Sequence, residues 1–145
     1  MAAKESKRIE FTVLGPAAPQ GSMRGYVVKG KARVTSDNSK TMPYRQQVGW
    51  TALKARADAG HNTLFAGRHV PVGVSLAFWY AKPPSVSKRR LQMAVKPDLD
   101  KLCRSTLDAL SGILWADDGQ VVELSASKRY GLPERAVICV WKVEA

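Results

Sequence analysis

The chain has 145 residues, a formal net charge of +11 and an isoelectric point near 10.0. Its length suits one domain with a substantial hydrophobic core, and its 45% hydrophobic residues exclude an intrinsically disordered protein. The excess of Lys and Arg favours a polyanionic partner, nucleic acid above all, although a basic protein without any nucleic-acid role has the same composition.

The N-terminal sequence and the cysteines predict the cellular compartment of the protein. MAAKESKRIE has no apolar signal core, and no apolar run approaches the ~18 residues of a membrane span. Cys103 and Cys139 are the only cysteines, and neither lies in a CxxC or CxxH pair, so they are expected to be small core residues of a reducing compartment. We therefore expect one cytoplasmic domain over residues 1–145, without membrane contact and with a flexible tail at residues 1–7.

Short strands come first along the chain. The alternation of apolar and polar residues in Arg8–Leu14 predicts a half-buried strand, and the prolines and glycines of Gly15–Ser22 predict a loop. Gly25–Thr35 predicts a hairpin with its turn at Lys29–Gly30. The cations in and beside this hairpin suit a basic arm over a phosphate backbone, or equally a solvated hairpin edge. These cations are Arg24, Lys29, Lys31 and Arg33.

A helix and the most apolar strand follow. Pro43 can occupy the first position of a helix that Gly60 closes, and Val70–Tyr80 alternates large apolar residues as a buried strand does. Lys82–Lys96 contains five basic residues, two prolines and no acid, and it carries a compact cationic tip at Lys88–Arg90. Such a charge run is either a DNA contact or an ordinary solvated loop.

The last third of the chain predicts a central amphipathic helix and two strands. Asp98 begins the helix, apolar residues recur every three or four positions up to position 110, and Gly112 ends it. Gln120–Tyr130 and Ala136–Val143 predict two strands joined by residues 131–135 as an antiparallel hairpin. The expected fold class is α+β (mixed α/β): a small single domain whose antiparallel-rich mixed sheet packs with two main helices.

Half of the carboxylates lie in one short window. Of twelve acidic residues, six fall within residues 96–123, and none lies between positions 58 and 98. They are Asp98, Asp100, Asp108, Asp117, Asp118 and Glu123. A carboxylate set of this kind suits Mg²⁺ or Mn²⁺ rather than zinc. A magnesium site beside a cationic surface indicates phosphodiester hydrolysis.

The same acids also have local structural explanations. Asp98 is an acceptable helix N-cap, Asp100 precedes Arg104 by four residues in the favourable order for a helical ion pair, and Asp117 and Asp118 precede a glycine as in an ordinary turn. An extended chain points residues 98 and 100 the same way, but sequence spacing alone does not bring the turn at 117–118 near them. The residues alone therefore leave a metal site and a purely structural role both open.

The segment KPDLDKLCRSTLDALSGILWADDGQVVEL (residues 96–124), followed by SKRYG, resembles the signature of the RusA family of Holliday junction resolvases. In that family a DLDN segment, an LDAL helix and a D-D-x-x-V turn and strand follow one another at this spacing. The match is dense over residues 96–124. Elsewhere it is loose, although GPAAPQGSMRGY (residues 15–26) is similar to the Pro-rich, basic N-terminal segment of many members.

The resemblance implies a homodimer that resolves four-way DNA junctions by paired nicks in recombination and repair. It implies a Mg²⁺ cofactor, for which Mn²⁺ substitutes, and a bacterial cytoplasm with a phage or prophage gene. By motif position, Asp98, Asp100 and Asp118 are the catalytic, metal-binding carboxylates, and Asp117 is a supporting acid at the metal. The residues expected to contact DNA are Arg24, Lys29, Lys31, Arg33, Lys88, Arg89, Arg90, Lys96 and Lys101.

Two positions depart from the family pattern. Lys101 stands where the family usually has Asn, and Arg104 stands where it has a functional lysine. Arg104 retains a charge for stabilising a phosphate or the transition state, but an arginine does not readily lose a proton and so does not suit a general base.

Other functions remain compatible with the sequence. A junction-binding protein without catalysis is favoured by Arg104 at the lysine position, and a nuclease with broader flap or fork specificity has the same residues. A purely structural role for the acids predicts no thermal stabilisation by Mg²⁺.

Overall fold

A computed structural model describes residues 8–21, 23–36, 39–60 and 67–144, with the backbone alone for residues 23–28 and 32–36. Its strands and helices confirm the α+β class. They are β1 (Arg8–Leu14), β2 (Met23–Val28), β3 (Lys31–Ser36), α1 (Thr41–Asp58), β4 (Val72–Tyr80), α2 (Leu99–Leu110), a 3₁₀ helix (Asp118–Gln120), β5 (Val121–Tyr130) and β6 (Arg135–Lys142). No helix in these ranges is long and apolar enough to cross a membrane.

A four-stranded mixed sheet in the order β1-β6-β4-β5 forms the body of the domain. β6 pairs antiparallel with both β1 and β4, whereas β5 pairs parallel with β4. The prediction that Gln120–Tyr130 and Ala136–Val143 form a hairpin is therefore wrong, because β4 lies between them. The link between them passes the end of β4, where the Gly131 amide donates to the Tyr80 carbonyl at 2.8 Å.

Hydrophobicity explains this strand order. Val72, Val74, Leu76 and Phe78 of β4 are at most 1% exposed, so β4 takes a central position with a neighbour on each side. β5 exposes most of its first half and is suited to an edge. The segment between β4 and β5 includes α2, which makes the crossover that two parallel neighbours require.

The N-terminal hairpin forms as predicted. β2 and β3 pair antiparallel, and Lys29 and Gly30 connect them with positive φ angles of 51° and 76°. Two consecutive positive φ angles are typical of the tight turns that match the twist of a hairpin. The turn exposes Lys29 and Lys31. The side chains of Arg24 and Arg33 lie outside the described part of the structure.

Helix α2 packs its apolar stripe against the sheet and α1. Leu102 and Leu110 are fully buried, and the helix ends before Gly112, whose φ of +84° an L side chain rarely adopts. The buried Ser105 hydroxyl donates to the Ala18 carbonyl at 2.6 Å, so the loop after β1 is joined to this helix. Helix α1 begins at Thr41, two residues before Pro43, and the Thr41 hydroxyl donates to the Pro19 carbonyl at 2.7 Å.

A buried tyrosine links the two helices and makes the fold sensitive to alkali. The Thr106 hydroxyl donates to the Leu102 carbonyl, so the Tyr44 hydroxyl donates to Thr106, at 2.8 Å. Burial raises the pKa of Tyr44 to about 12. Between pH 10 and 12 the unfolded chain loses this proton while the folded protein retains it. The free energy of unfolding therefore falls as pH rises through that window.

We expect Tyr44→Phe to lower the free energy of unfolding by about 1 kcal/mol at pH 7, because one hydrogen bond is lost. We also expect the free energy of unfolding of the variant to fall less steeply as the pH rises. Some decline remains, because burial raises the pKa of Tyr80 as well. Urea denaturation at a series of pH values from 7 to 11 measures both effects. If the free energy of unfolding fell equally steeply with pH in the variant and the wild type, Tyr44 would not be the titrating group.

Candidate active site

A pocket of about 830 Å³ lies between α2 and β5. Its walls combine an apolar floor with three carboxylates and one guanidinium. The lining residues are Leu99, Asp100, Cys103, Arg104, Leu107, Asp108, Asp118, Val121, Leu124 and Ala126. The pocket therefore brings together residues from both ends of the acidic window, which sequence spacing alone did not establish.

Helix α2 supplies Asp100, Arg104 and Asp108 at successive four-residue spacings, so they follow one another along one side of the helix. Within the described ranges, the only ion pair joins Lys101 Nζ to Asp98 Oδ2 at 3.9 Å. The helical ion pair between Asp100 and Arg104, which was one local explanation for Asp100, is therefore not formed. Both side chains are available to a ligand in the pocket.

A buried tryptophan orients the carboxylate of Asp118. The indole Nε1 of Trp115 donates to Asp118 Oδ1 at 3.0 Å, and Trp115 is only 2% exposed. The other carboxylate oxygen makes no hydrogen bond within the part of the chain that the structure describes. A carboxylate held through one oxygen is oriented by the protein and can use the second oxygen for a ligand.

Asp117 has a structural task in the same turn. Its Oδ1 accepts from the Gly119 amide at 3.2 Å, and Gln120 closes a reciprocal capping box by accepting from the Asp117 amide at 2.9 Å. Asp117 does not line the pocket, and neither does Asp98, whose extended backbone precedes α2 without a side-chain cap. The roles predicted for Asp98 and Asp117 stay predictions.

Sequence reasoning missed Gln120 and Trp115. Gln120 is 4% exposed, and its side chain makes four hydrogen bonds with described residues, accepting from the amides of residues 116 and 117 and donating to the carbonyls of Gly67 and Val70. It joins the acidic turn to the segment before β4. The D-x-x-Q spacing from Asp117 is the signal that predicts such a box.

The donor chemistry of the pocket fits a hard divalent cation. Asp100, Asp108 and Asp118 provide oxygen ligands, and Mg²⁺ typically takes one or two carboxylates and completes its shell with water and substrate phosphates. Among the described residues, no three His, Cys, Asp or Glu side chains form a ready-made metal cluster. Burial, and then the charge of Asp100, raise the pKa of Cys103, so this thiol stays protonated at neutral pH and is a poor ligand.

The predicted DNA-contacting cations whose side chains the structure describes do not line the pocket. Lys29, Lys31 and Lys96 are exposed, as is the whole cationic tip Lys88–Arg90. Lys101 is half-buried beside Asp98. The structure thus places these cations on the surface, while among the described side chains Arg104 is the cation that lines the pocket.

The comparisons with known proteins show the family of this basic α+β domain and its acid-lined pocket. The chain belongs to the RusA endodeoxyribonuclease family, whose model matches residues 16–140. It is therefore a member of a nuclease family. It is also 31% identical to the uncharacterized protein YqaN of Bacillus subtilis (strain 168), over 94% of this chain and 98% of that protein.

The solved structures to which this chain is similar include one that is matched over the full length of this chain and 86% of its own. It is the crystal structure of Atu1372 from Agrobacterium tumefaciens, a protein of unknown function, with 12% identity and a TM-score of 0.41.

Proposed function

We propose that the protein is a Mg²⁺-dependent endonuclease that resolves four-way DNA junctions by paired nicks in recombination and repair. The observation that supports this most is that Asp100 and Asp118 line one pocket together with Arg104. Family membership supports the hydrolysis of DNA, and the net charge of +11 supports a polyanionic substrate.

The pocket residues divide the chemistry among them. Asp100 and Asp118 would hold Mg²⁺, with Asp98 reaching them from the start of α2. When bound there, the metal supplies an activated water and neutralises charge on the scissile phosphate. Arg104 donates to the phosphate oxygens and stabilises the charge that develops on them.

A homodimer fits this reaction. A junction is resolved by cuts in two symmetry-related strands, and a dimer with a two-fold axis presents two equivalent sites. The exposed cations would contact the phosphate backbones of the junction arms. Such contacts do not depend on the base sequence.

A cleavage assay on a labelled synthetic four-way junction tests the proposal. Matched linear duplex and flap substrates are the controls, and each is incubated with Mg²⁺, with Mn²⁺ and with EDTA. Paired, metal-dependent nicks on the junction with the duplex spared are the expected result. Equal cutting of flaps would indicate broader specificity. Tight binding without nicks in either metal would indicate a non-catalytic junction-binding protein, and Arg104→Lys would then be the next variant.

Neutralising the cationic tip should weaken DNA binding without changing the chemistry. In a variant with Lys88, Arg89 and Arg90 all replaced by Gln, we expect the slope of log K against log salt concentration to lose about 2 to 3 units, because each phosphate contact contributes about 0.9. The cleavage rate at saturating DNA should stay unchanged. Fluorescence anisotropy at several salt concentrations measures the slope. Lys54→Gln, an exposed cation on α1, is the control, and an unchanged slope in the triple variant would rule out the tip as a DNA contact.

A further inference from the structure

Lys128 on β5 makes an unusual pair of hydrogen bonds. Its Nζ donates to the carbonyls of Val95 and Pro97, the latter at 2.8 Å. The side chain is half-buried and lies opposite the fully buried Phe78, on the same face of β5 as Ala126, which lines the pocket. Lys128 forms no ion pair with any described carboxylate. Its charge is therefore directed to the backbone immediately before Asp98.

These two bonds anchor a long segment that has few other attachments. Residues 82–97 contain local turns, in which Val86 bonds to Pro83 and Arg90 to Ser87. Met93 is their one buried hydrophobic side chain among the described residues. Within the described part of the chain, the hydrogen bonds that tie this segment to the rest of the protein come from Lys128.

The anchor acts directly on the backbone of Asp98. The Pro97 carbonyl lies in the same rigid peptide plane as the amide and Cα of Asp98, so a bond to this oxygen fixes the orientation of that plane. On the other side, the Asp98 carbonyl accepts from the Leu102 amide at 3.1 Å. Asp98 is thus held at both of its peptide groups, although its side chain does not cap the helix.

We propose that Lys128 is a positioning residue for the active site: its ammonium holds the backbone before Asp98 so that this carboxylate can join Asp100 and Asp118 at a divalent cation. The inference rests on the proposed function. A long flexible cation suits this task, because an ammonium directs its donors at two carbonyl oxygens from one point. The same contacts fix the end of the segment that carries the cationic tip.

Lys128→Met tests the proposal, since it keeps the apolar stem and removes the donors. Arg129→Met is the matched control: it removes the same charge from the next residue, which stacks on Trp79 at 5.1 Å instead of contacting the segment. We expect hydrogen exchange of the Leu102 amide, which donates to the Asp98 carbonyl, to become about tenfold faster in Lys128→Met, the factor that corresponds to one net hydrogen bond to a charged group, and to stay unchanged in the control. This measurement uses the metal-free protein and needs no activity.

The second readout is the Mg²⁺ concentration for half-maximal junction cleavage. We expect it to rise about 10- to 100-fold in Lys128→Met, the usual effect of losing a group that orients a metal ligand. Junction affinity in EDTA is measured beside it, so that any loss of DNA binding through the cationic tip is separated from the effect on Mg²⁺. Lys128→Arg retains several donors and should therefore keep both the amide exchange rate and the Mg²⁺ dependence close to those of the wild type. A lysine with a merely structural role would lower the melting temperature without moving the Mg²⁺ dependence.

The outcomes separate this inference from the function on which it rests. An inactive wild-type protein refutes the proposed function, and the positioning role with it. An active wild type whose Lys128→Met variant keeps slow exchange, or keeps its Mg²⁺ dependence, refutes the role of Lys128 alone. If Lys128→Met does not fold, Lys128→Gln carries the same expectations, because its shorter side chain does not reach both carbonyls.

Discussion

Asp118→Asn is expected to lower the rate of junction cleavage by about three orders of magnitude and to leave junction binding intact. The substitution keeps the shape of the side chain and an oxygen that accepts from Trp115, but it removes the charge that would hold the metal. Metal-assisted charge stabilisation contributes several kcal/mol to such reactions, and each 1.36 kcal/mol corresponds to about tenfold in rate. Single-turnover cleavage and gel-shift titration in EDTA measure the two effects.

The same result is expected for Asp100→Asn and for Asp98→Asn. Glu123→Gln is the control, because it removes one charge from an exposed residue of the same acidic window that does not line the pocket. Binding should not weaken in any of these variants, since each removes a negative charge that repels DNA. Cleavage that persists in purified Asp100→Asn would contradict the assignment of the site.

The strands and helices were largely predictable, because local sequence patterns determine them. Alternating residues in β1 and β4, the apolar stripe of α2 and the Lys29–Gly30 turn all lie where the sequence predicts. The pairing of β5 was not predictable in this way. Neighbouring strands commonly form hairpins, and only the comparison of burial shows why β4, with its fully buried side chains, separates β5 from β6.

The site was predictable in its residue types but not in its geometry. The acidic window suggested a metal, yet nothing in the spacing showed that α2 and the turn after it would place Asp100 and Asp118 on one pocket. The supporting residues were harder still. Gln120 and Lys128 act through bonds to the backbone of residues that are distant in sequence, and residue type alone does not reveal such contacts. Trp115 lies three residues from Asp118, and the sequence does not show that their side chains meet.

Gln120→Leu should be among the most damaging single substitutions outside the pocket. Leucine has a similar volume but cannot form hydrogen bonds. Two amides of the acidic turn and two carbonyls of the segment at 67–70 would therefore lose their side-chain partner. We expect the free energy of unfolding to fall by about 2–4 kcal/mol, because buried polar groups that lose their partners cost about 1–3 kcal/mol each and water reaches some of them. Urea denaturation measures the loss, and Gln46→Leu, an exposed glutamine on α1, should change it by no more than about 0.5 kcal/mol.

Gln120→Glu separates the two sets of hydrogen bonds that Gln120 makes, one to the acidic turn and one to the segment at 67–70. Its carboxylate still accepts from the amides of Ala116 and Asp117, so the turn that carries Asp118 keeps its shape. Its second oxygen replaces the donor that faces the carbonyls of Gly67 and Val70, so the connection to that segment is lost. We therefore expect Gln120→Glu to be destabilised but to retain most of its cleavage activity well below its melting temperature, whereas Gln120→Leu should lose both. Full activity and stability in Gln120→Leu would show that the acidic turn is held by its own backbone, and that Trp115 alone orients Asp118.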